Sequence, residues 1–536
     1  MLKRRVWKPI AGIIFLITLV SVALFFYSLL KLDILRTEYL IAVTAVLALL
    51  LFLVGFLLYH GLRRKRSTAR RVRRILGVIL AVVVTLICLL GSYLLSGLDR
   101  TREAVTNKGE SEVRGYISVF VANDDAAQEL ADMGAYRFGV LAKHDELNTK
   151  YALNEIRSRI GTEVEAISYP GITDAAAAMR NGEINAIAVS EGFLDILTEV
   201  EKYADFPDEI RLVETIAVPS SASLESVGEV KIETVAGQDA ESPVEVPAVT
   251  PEPTPKPAVR KTYGEDETLI FYLSGIDKWE GTESRQSHSD VNILMAVNPK
   301  THQILFINTP RDYFITNPAL GGGDKLTHCA VQGVYNSIAA LEQLYNIEVD
   351  NYVKVNFSGF VRFINAIGGV DVYSPVTFTN EDNISFVEGM NHLDGGGALV
   401  FARERHSFGD GDISRGKNQI RVLEGVIEKM KTSGMTILLN YNEILDTMAG
   451  TFETDLTSSQ ISDLIKVASR DLGDWEIKSY SSGGRLGMRT IASAGTELMS
   501  IIFPTQKTVD FATTLFNMIL NDEVITDEKL DTAPAP

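Results

Sequence analysis

ETLIFYLSGID (267–277), DVNILMAVNP (290–299) and QILFINTPRD (303–312) are three apolar runs of strand length in close succession, the last two joined by the turn-like NPKTH. Helical spacing follows over residues 327–345, 357–367, 395–404 and 414–431. NYVKVNF (351–357) and GVDVYS (369–374) read as strands between the helices. A sheet with helices on both faces is the most economical way to bury so many apolar strands, so an α/β domain with α-β-α layers is expected over residues 263–522.

The chemistry-bearing side chains cluster along this same stretch. Asp277 closes the first strand and Asp290 opens the second, so two carboxylates at adjoining ends of neighbouring antiparallel strands can share a cation. Arg311 follows a strand and a proline-fixed turn, and Lys325 stands just ahead of a helix. In FARERHSF (401–408), Arg403 and Arg405 project to one side if the segment is extended. Arg415 and Gln419 are four residues apart and share a face of the next helix. Gly409, Asp410, Gly411 and Asp412 look like a tight loop feeding it. Guanidinium forks match phosphate oxygens and carboxylates suit magnesium, so the set points to a phosphate ester or pyrophosphate.

Outward from this domain, the chain becomes less specific. Residues 219–262 are rich in Ser, Val, Glu and Pro and end in VPAVTPEPTPKP, which reads as an extended Pro-rich linker. Before it, residues 110–218 alternate strands (GYISVFVAND, YRFGVLAK, NAIAVS) with helical stretches at 148–160 and 173–180. This small accessory α/β domain resembles one lobe of an extracellular solute-binding protein. It is read either as a spacer or protein-partner domain or as a receptor for a small ligand. Residues 523–536 are expected to be a disordered tail.

Residues 1–97 hold three charge-free apolar stretches, about 9–30, 39–59 and 75–95, each long enough to cross the membrane as a helix. The eight Lys and Arg residues between 63 and 74 place that link in the cytoplasm, and three crossings then leave everything after Gly97 on the extracellular face. The first 96 residues carry 14 basic and 2 acidic side chains of the 51 and 69 in the chain, which leaves the exterior at −30. Such a surface repels nucleic acid, and an anionic substrate needs a local basic pocket. The two cysteines, Cys88 and Cys329, allow neither a disulfide in the exterior nor a cysteine zinc site.

In order and spacing, SGID, SDVNILMAVNPKTHQILFINTPRDYF, the stretch from DKLTHCAVQG to GGVDV, and EGMNHLDGGGALVFARERHSFGDGDISRGKNQI resemble the LytR-CpsA-Psr family of membrane-anchored phosphotransferases. The resemblance implies transfer of an anionic glycan, of teichoic acid or capsule type, from a polyprenyl-pyrophosphate carrier to peptidoglycan, in a bacterium of the Gram-positive type. It further implies that Asp277 and Asp290 hold magnesium (or manganese), that Arg311, Lys325, Arg403, Arg415 and Gln419 bind the pyrophosphate, and that Arg405 lies beside the transferred phosphate. Arg403, Arg405 and Asp290 form the implied catalytic set. The prenyl chain would lie between sheet and helices, where VYNSIAALEQLY is one candidate wall. His288 stands where the family commonly has arginine, and Arg285 or a protonated His288 is expected to substitute. Pyrophosphate hydrolysis, or lipid and glycan binding without turnover, are the alternative activities.

Overall fold

The computed structural model describes residues 4–59, 68–106, 113–225, 227, 229–235, 263–264, 266–276, 287–408, 411–432, 444, 446–447, 451–468 and 475–534. The expected polyproline spacer, at 251–257, lies outside them. Three apolar helices come first, α1 (Arg4–Leu32), α2 (Thr37–Tyr59) and α3 (Thr68–Thr106). Each contains a span long and apolar enough to cross a membrane, Trp7–Leu32, Thr37–Tyr59 and Arg71–Thr101. α1 and α3 run alongside each other, with Lys31 pairing to Asp99 at their shared end. From that end the bundle meets the C-terminal domain: Ser462 Oγ donates to Leu32 O (2.9 Å) and Lys466 Nζ reaches Asp33 Oδ2 (2.8 Å).

The accessory lobe is built from β1 (Val113–Ala122), β2 (Arg137–Val140), α4 (Glu146–Ile160), β3 (Glu165–Ser168), α5 (Ile172–Arg180), β4 (Ala186–Val189), α6 (Gly192–Thr198), α7 (Phe206–Glu209), β5 (Ile210–Pro219) and β6 (Ile232–Thr234). Its sheet has the order β5-β1-β4-β2-β3-β6. The alanine run of α5 (ITDAAAAMR) favours helix, and Gly182, at φ 70°, turns the chain into β4. β6 corrects the sequence reading: Ile232–Thr234 falls within the segment expected as linker, yet pairs in parallel with β3. Three residues of modest hydrophobicity cannot be told from a spacer until a sheet edge receives them.

The C-terminal domain contains β7 (Leu269–Ile276), β8 (Ser289–Asn298), β9 (Gln303–Asn308), β10 (Phe314–Asn317), β11 (Gly322–Lys325), α8 (Leu326–Cys329), α9 (Val334–Tyr345), β12 (Asn351–Asn356), α10 (Phe357–Ala366), β13 (Val370–Ser374), β14 (Phe378–Thr379), β15 (Ser385–Phe386), β16 (Gly389–Leu393), α11 (Gly395–Arg403), α12 (Asp412–Thr432), β17 (Phe452–Thr454), α13 (Ser458–Ala468), β18 (Glu476–Ser481), β19 (Gly484–Thr490), β20 (Leu498–Pro504), α14 (Gln506–Leu520) and α15 (Asp527–Asp531). The main sheet has the order β17-β12-β7-β8-β9-β18. β7, β8 and β9 are antiparallel neighbours, whereas β12 and β18 join them in parallel. Alternation sends Ile270, Tyr272, Leu294, Ala296, Leu305 and Ile307 to one face, where they form a closed core with α9 and α14. Leu273, Ile293 and Phe306 face the opposite way, toward α12. Both faces are covered, as expected for α-β-α layers.

The tail also departs from expectation. Ile525 is fully buried, its N–H donating to Gln303 Oε1 (2.8 Å) while Gln303 Nε2 donates to Ile525 O (2.9 Å), and α15 follows. That amide clasp ties down a segment whose composition alone is that of a solvated end.

The two lobes share a hydrophobic cluster in which Ile172, Ala175 and Ala176 meet Ile491, Ala494, Met499 and Ile501 of the β19–β20 region. The N-terminus of α5 donates into the 493–494 backbone: Ile172 N–H to Ser493 O (3.3 Å) and Thr173 N–H to Ala494 O (3.0 Å). A Cβ at Gly171 would overlap the backbone of Ala494 and Gly495. Gly171→Ala should therefore loosen the docked lobe, costing about 1–3 kcal/mol as overpacking does. A lower Tm of the full chain in detergent, with faster proteolysis between the lobes, is the expected result; an unchanged melt and digest would refute this account of the junction.

Candidate functional site

On the sheet face away from α9, the core is incomplete. Leu273 of β7, Ile293 of β8, Val353 and Val355 of β12, Phe357 and Phe360 of α10, Leu399 and Val400 of α11 and Val422 and Leu423 of α12 line a cavity of about 680 Å³, with Phe452 of β17 also in its wall. Its polar lining is Asp290, Arg311, Arg403, Arg405, Arg415 and Gln419, beside a rim of Asn380, Glu381, Asp382, Glu404 and His406. Six of the ten residues singled out in the sequence thus meet in one groove.

Local structure explains each position. Asp394 caps α11, accepting from Gly397 N–H (2.7 Å), and the helix ends at Arg403. Glu404 is extended, so Arg405 returns to the same side as Arg403, the geometry that their two-residue spacing allowed. The Arg403 guanidinium sits 4.9 Å from the Phe357 ring centre, and Arg405 Nε donates to His406 Nε2 (3.1 Å). Gly411, at φ 50°, immediately precedes α12; residues 409–410 of the expected loop lie outside the described residues. Arg415 and Gln419 are buried one turn apart. Between them Gly416 lets the helix approach Asn308 so closely that a Cβ there would strike its carboxamide.

Asp290 is held by Arg311, Nη1 to Oδ1 at 2.6 Å. Burial would lower the Arg311 pKa, but Asp290, Asp312 and Glu199 outweigh it and leave the guanidinium permanently charged. Asp277 and Arg285 lie outside the described residues. The strand end before Asp277, at Ile276, pairs with Ser289, immediately before Asp290.

Three expectations are corrected. Lys325 does not line the groove: it is buried behind Arg311, with Nζ 2.5 Å from Glu199 Oε2 and 3.2 Å from Asp312 Oδ1. His288 likewise turns to the accessory lobe, where Nε2–H donates to Gly192 O (3.1 Å) and Nδ1 faces Glu199 Oε1 at 4.0 Å. Both are held by oxygens of α6 and its end, the Glu199 carboxylate and the Gly192 carbonyl, with Asp312 adding a second carboxylate to Lys325. VYNSIAALEQLY, as α9, packs in the closed core on the other face of the sheet.

His328 completes this second cluster, with Nδ1 3.1 Å from Asp324 Oδ1 and Nε2 3.7 Å from Glu199 Oε1. Burial would lower the His328 pKa, but the Asp324 and Glu199 carboxylates raise it to about 9. His288, buried and beside His328, falls to about 4. Burial pushes the Glu199 carboxyl up, yet His328 and Lys325 together hold it well below the usual range. Glu199 carries no signal in the sequence beyond its residue type, because its partners Lys325, His288 and His328 are remote along the chain, and it is Glu199 that joins them into one cluster.

Residues 231–489 match the model of the LytR_cpsA_psr family. The chain is 33% identical over 203 residues to a polyisoprenyl-teichoic acid–peptidoglycan teichoic acid transferase TagU from Enterococcus faecalis, a match covering 38% of this chain and 65% of that protein. To the protein of the same name from Bacillus anthracis it is 32% identical over 209 residues, 39% of this chain and 67% of the relative. Among solved structures, B. subtilis TagV aligns with a TM-score of 0.40 and 23% identity over 48% of this chain and 99% of that one. The chain thus spans about two thirds of the length of these curated relatives, 65% of the first. It is a membrane-anchored member of the LytR_cpsA_psr family.

Proposed function

We propose that this chain is a phosphotransferase that moves an anionic glycan from a polyprenyl-pyrophosphate carrier to a peptidoglycan hydroxyl. The observation that carries the reading is one groove with two chemistries, an apolar trough of about 680 Å³ opening on Arg311, Arg403, Arg405 and Arg415. A long hydrocarbon ending in a pyrophosphate needs that pairing, because a chain drawn from the bilayer must stay out of water and the charged head requires fixed cations. Relatives named as transferases of polyisoprenyl-linked teichoic acid support the substrate class. The basic link 63–74 supports placing the C-terminal domain on the extracellular face, with a multi-pass anchor below it.

In the proposed reaction the acceptor hydroxyl oxygen bonds to the glycan-side phosphorus, the bridging P–O bond breaks, and polyprenyl phosphate leaves and takes up the proton that the hydroxyl gives up. Arg403, Arg415 and Gln419 orient the oxygens of the pyrophosphate, and alignment with charge neutralisation supplies most of the catalysis. Arg405 acts electrostatically, since a guanidinium with a pKa above about 12 does not serve as a base. The donor set suits a hard cation: Asp290 offers a carboxylate at the groove, with Asp277 assigned as its neighbour, and phosphate oxygens fill the other positions. Magnesium or manganese there would offset the negative charge of the pyrophosphate.

Arg403→Ala and Asp290→Ala should each lower transfer of a lipid-linked glycan to peptidoglycan by about 100-fold or more, the scale of losing one donor aimed at developing charge. The Tm should hold for Arg403→Ala, which is exposed. Retained transfer by both variants sinks the assignment, and glycan released as free phosphoglycan in the presence of peptidoglycan favours hydrolysis.

Filling the trough tests the lipid half separately. Val353→Trp should weaken binding of the polyprenyl carrier about tenfold, near 1.4 kcal/mol, while a short-chain analogue that does not reach β12 is bound as before. Equal losses for both lengths would argue against a prenyl chain in this groove.

A further inference from the structure

Where the accessory lobe meets the C-terminal domain, Glu199, His288 and His328 point toward one another, each offering a ligand atom within 4.8 Å of the others. We propose that these three residues bind a zinc-class divalent cation, which clamps the accessory lobe onto the domain behind the arginine groove. This is separate from the oxygen-rich magnesium position proposed at the groove, because two imidazoles and a carboxylate select a softer transition ion.

The orientation of the rings carries the argument. His328 is fully buried; its Nδ1–H donates to Asp324, and its Nε2 has no hydrogen-bond partner and faces Glu199 Oε1 at 3.7 Å. His288 is the mirror case: Nε2–H donates to the backbone carbonyl of Gly192, and Nδ1 faces the same Glu199 oxygen at 4.0 Å. An imidazole ligand typically anchors its outer nitrogen on a carboxylate or a backbone carbonyl and turns the inner one to the metal, and both forms occur here. Bonds of about 2.0–2.1 Å place tetrahedral donors roughly 3.3 Å apart, so the Glu199 contacts of 3.7 and 4.0 Å need less than 1 Å of contraction and the two imidazole nitrogens, within 4.8 Å of each other, at most about 1.5 Å. Glu199 can bridge, since its other oxygen already holds Lys325.

Charge agrees with geometry. Apart from the Asp290–Arg311 pair at the groove, Asp312, Asp324 and Glu199 are three carboxylates linked through contacts to one permanent cation, Lys325. With both imidazoles neutral, two negative charges are left over in a mostly buried cluster. A divalent cation balances them, and without one the proton on His328 does so in part.

The test uses the full chain in detergent, stripped of metal and titrated with Co²⁺ in excess Mg²⁺, which occupies sites of hard oxygen donors. About one equivalent should bind with the visible bands of a four-coordinate ion and be displaced by Zn²⁺. Zn²⁺ should also raise the Tm. Removing an outer partner of a ligand typically costs about 10–100-fold in affinity, so Glu199→Gln, His288→Gln and His328→Gln should each cost at least tenfold. Absence of stoichiometric Co²⁺ binding by the unaltered chain overturns the proposal without reference to any variant. So does unchanged affinity in the three variants.

Discussion

The alternation of β7, β8, β9 and β12 is the constraint on which the rest depends. Consecutive side chains of a strand point to opposite faces, so a run such as LIFYL is apolar toward both. On one side α9 and α14 fill the space with Tyr345, Leu515 and Phe516 and leave a closed core. On the other, α10, α11 and α12 stand far enough off for Leu273, Ile293, Val353 and Val355 to border a cavity. The same periodicity thus produces a stable core and an unfilled apolar trough, and the helix that ends at Arg403 brings its cations to the trough because it must pack there.

The electrostatics follow from that arrangement in an acidic protein. With a net charge of −18, the long-range field opposes an anionic ligand, and binding rests on local cations at a low-dielectric wall. Arg311 is fixed between Asp290 and Asp312, Asp312 also meets Lys325, and Lys325 meets Glu199. This chain of contacts ties the position of a groove arginine to the docking of the accessory lobe. The lobe is therefore part of the scaffold behind the site, and its Glu199 gives a buried lysine a second counter-charge beside Asp312.

Much of this was legible in the sequence, where its physics is local. Strand alternation, the pairing of Arg415 with Gln419 across one helical turn, and the three membrane-length helices all depend on neighbours within a few residues. What was not legible depends on contacts far apart in the chain. Lys325 and His288 read as ligands of phosphate because nothing nearby in sequence competes for them, whereas Glu199 and Gly192 do so from about a hundred residues away. β6 and the ordered end at Ile525 escaped notice for the same reason: a sheet edge and the Gln303 amide recruit segments with little propensity of their own. α9 shows the converse limit, since an apolar helix face has the same pattern whether it borders a cavity or a filled core.

The membrane anchor adds a geometric step to the proposed lipid substrate. Leu32 and Asp33, at the end of α1, contact Ser462 and Lys466 of α13. α13 in turn follows β17, whose Phe452 lines the trough and meets Phe363 of α10 edge to face at 5.5 Å. Contacts between α3 and both β17 and α13 place the anchor beside that wall. β17, whose Phe452 lines the apolar groove, thus lies next to the anchor helices. A prenyl chain would exchange one apolar environment for another, so its transfer needs little desolvation, and the free energy of recognition can be concentrated at the pyrophosphate, where the arginines are.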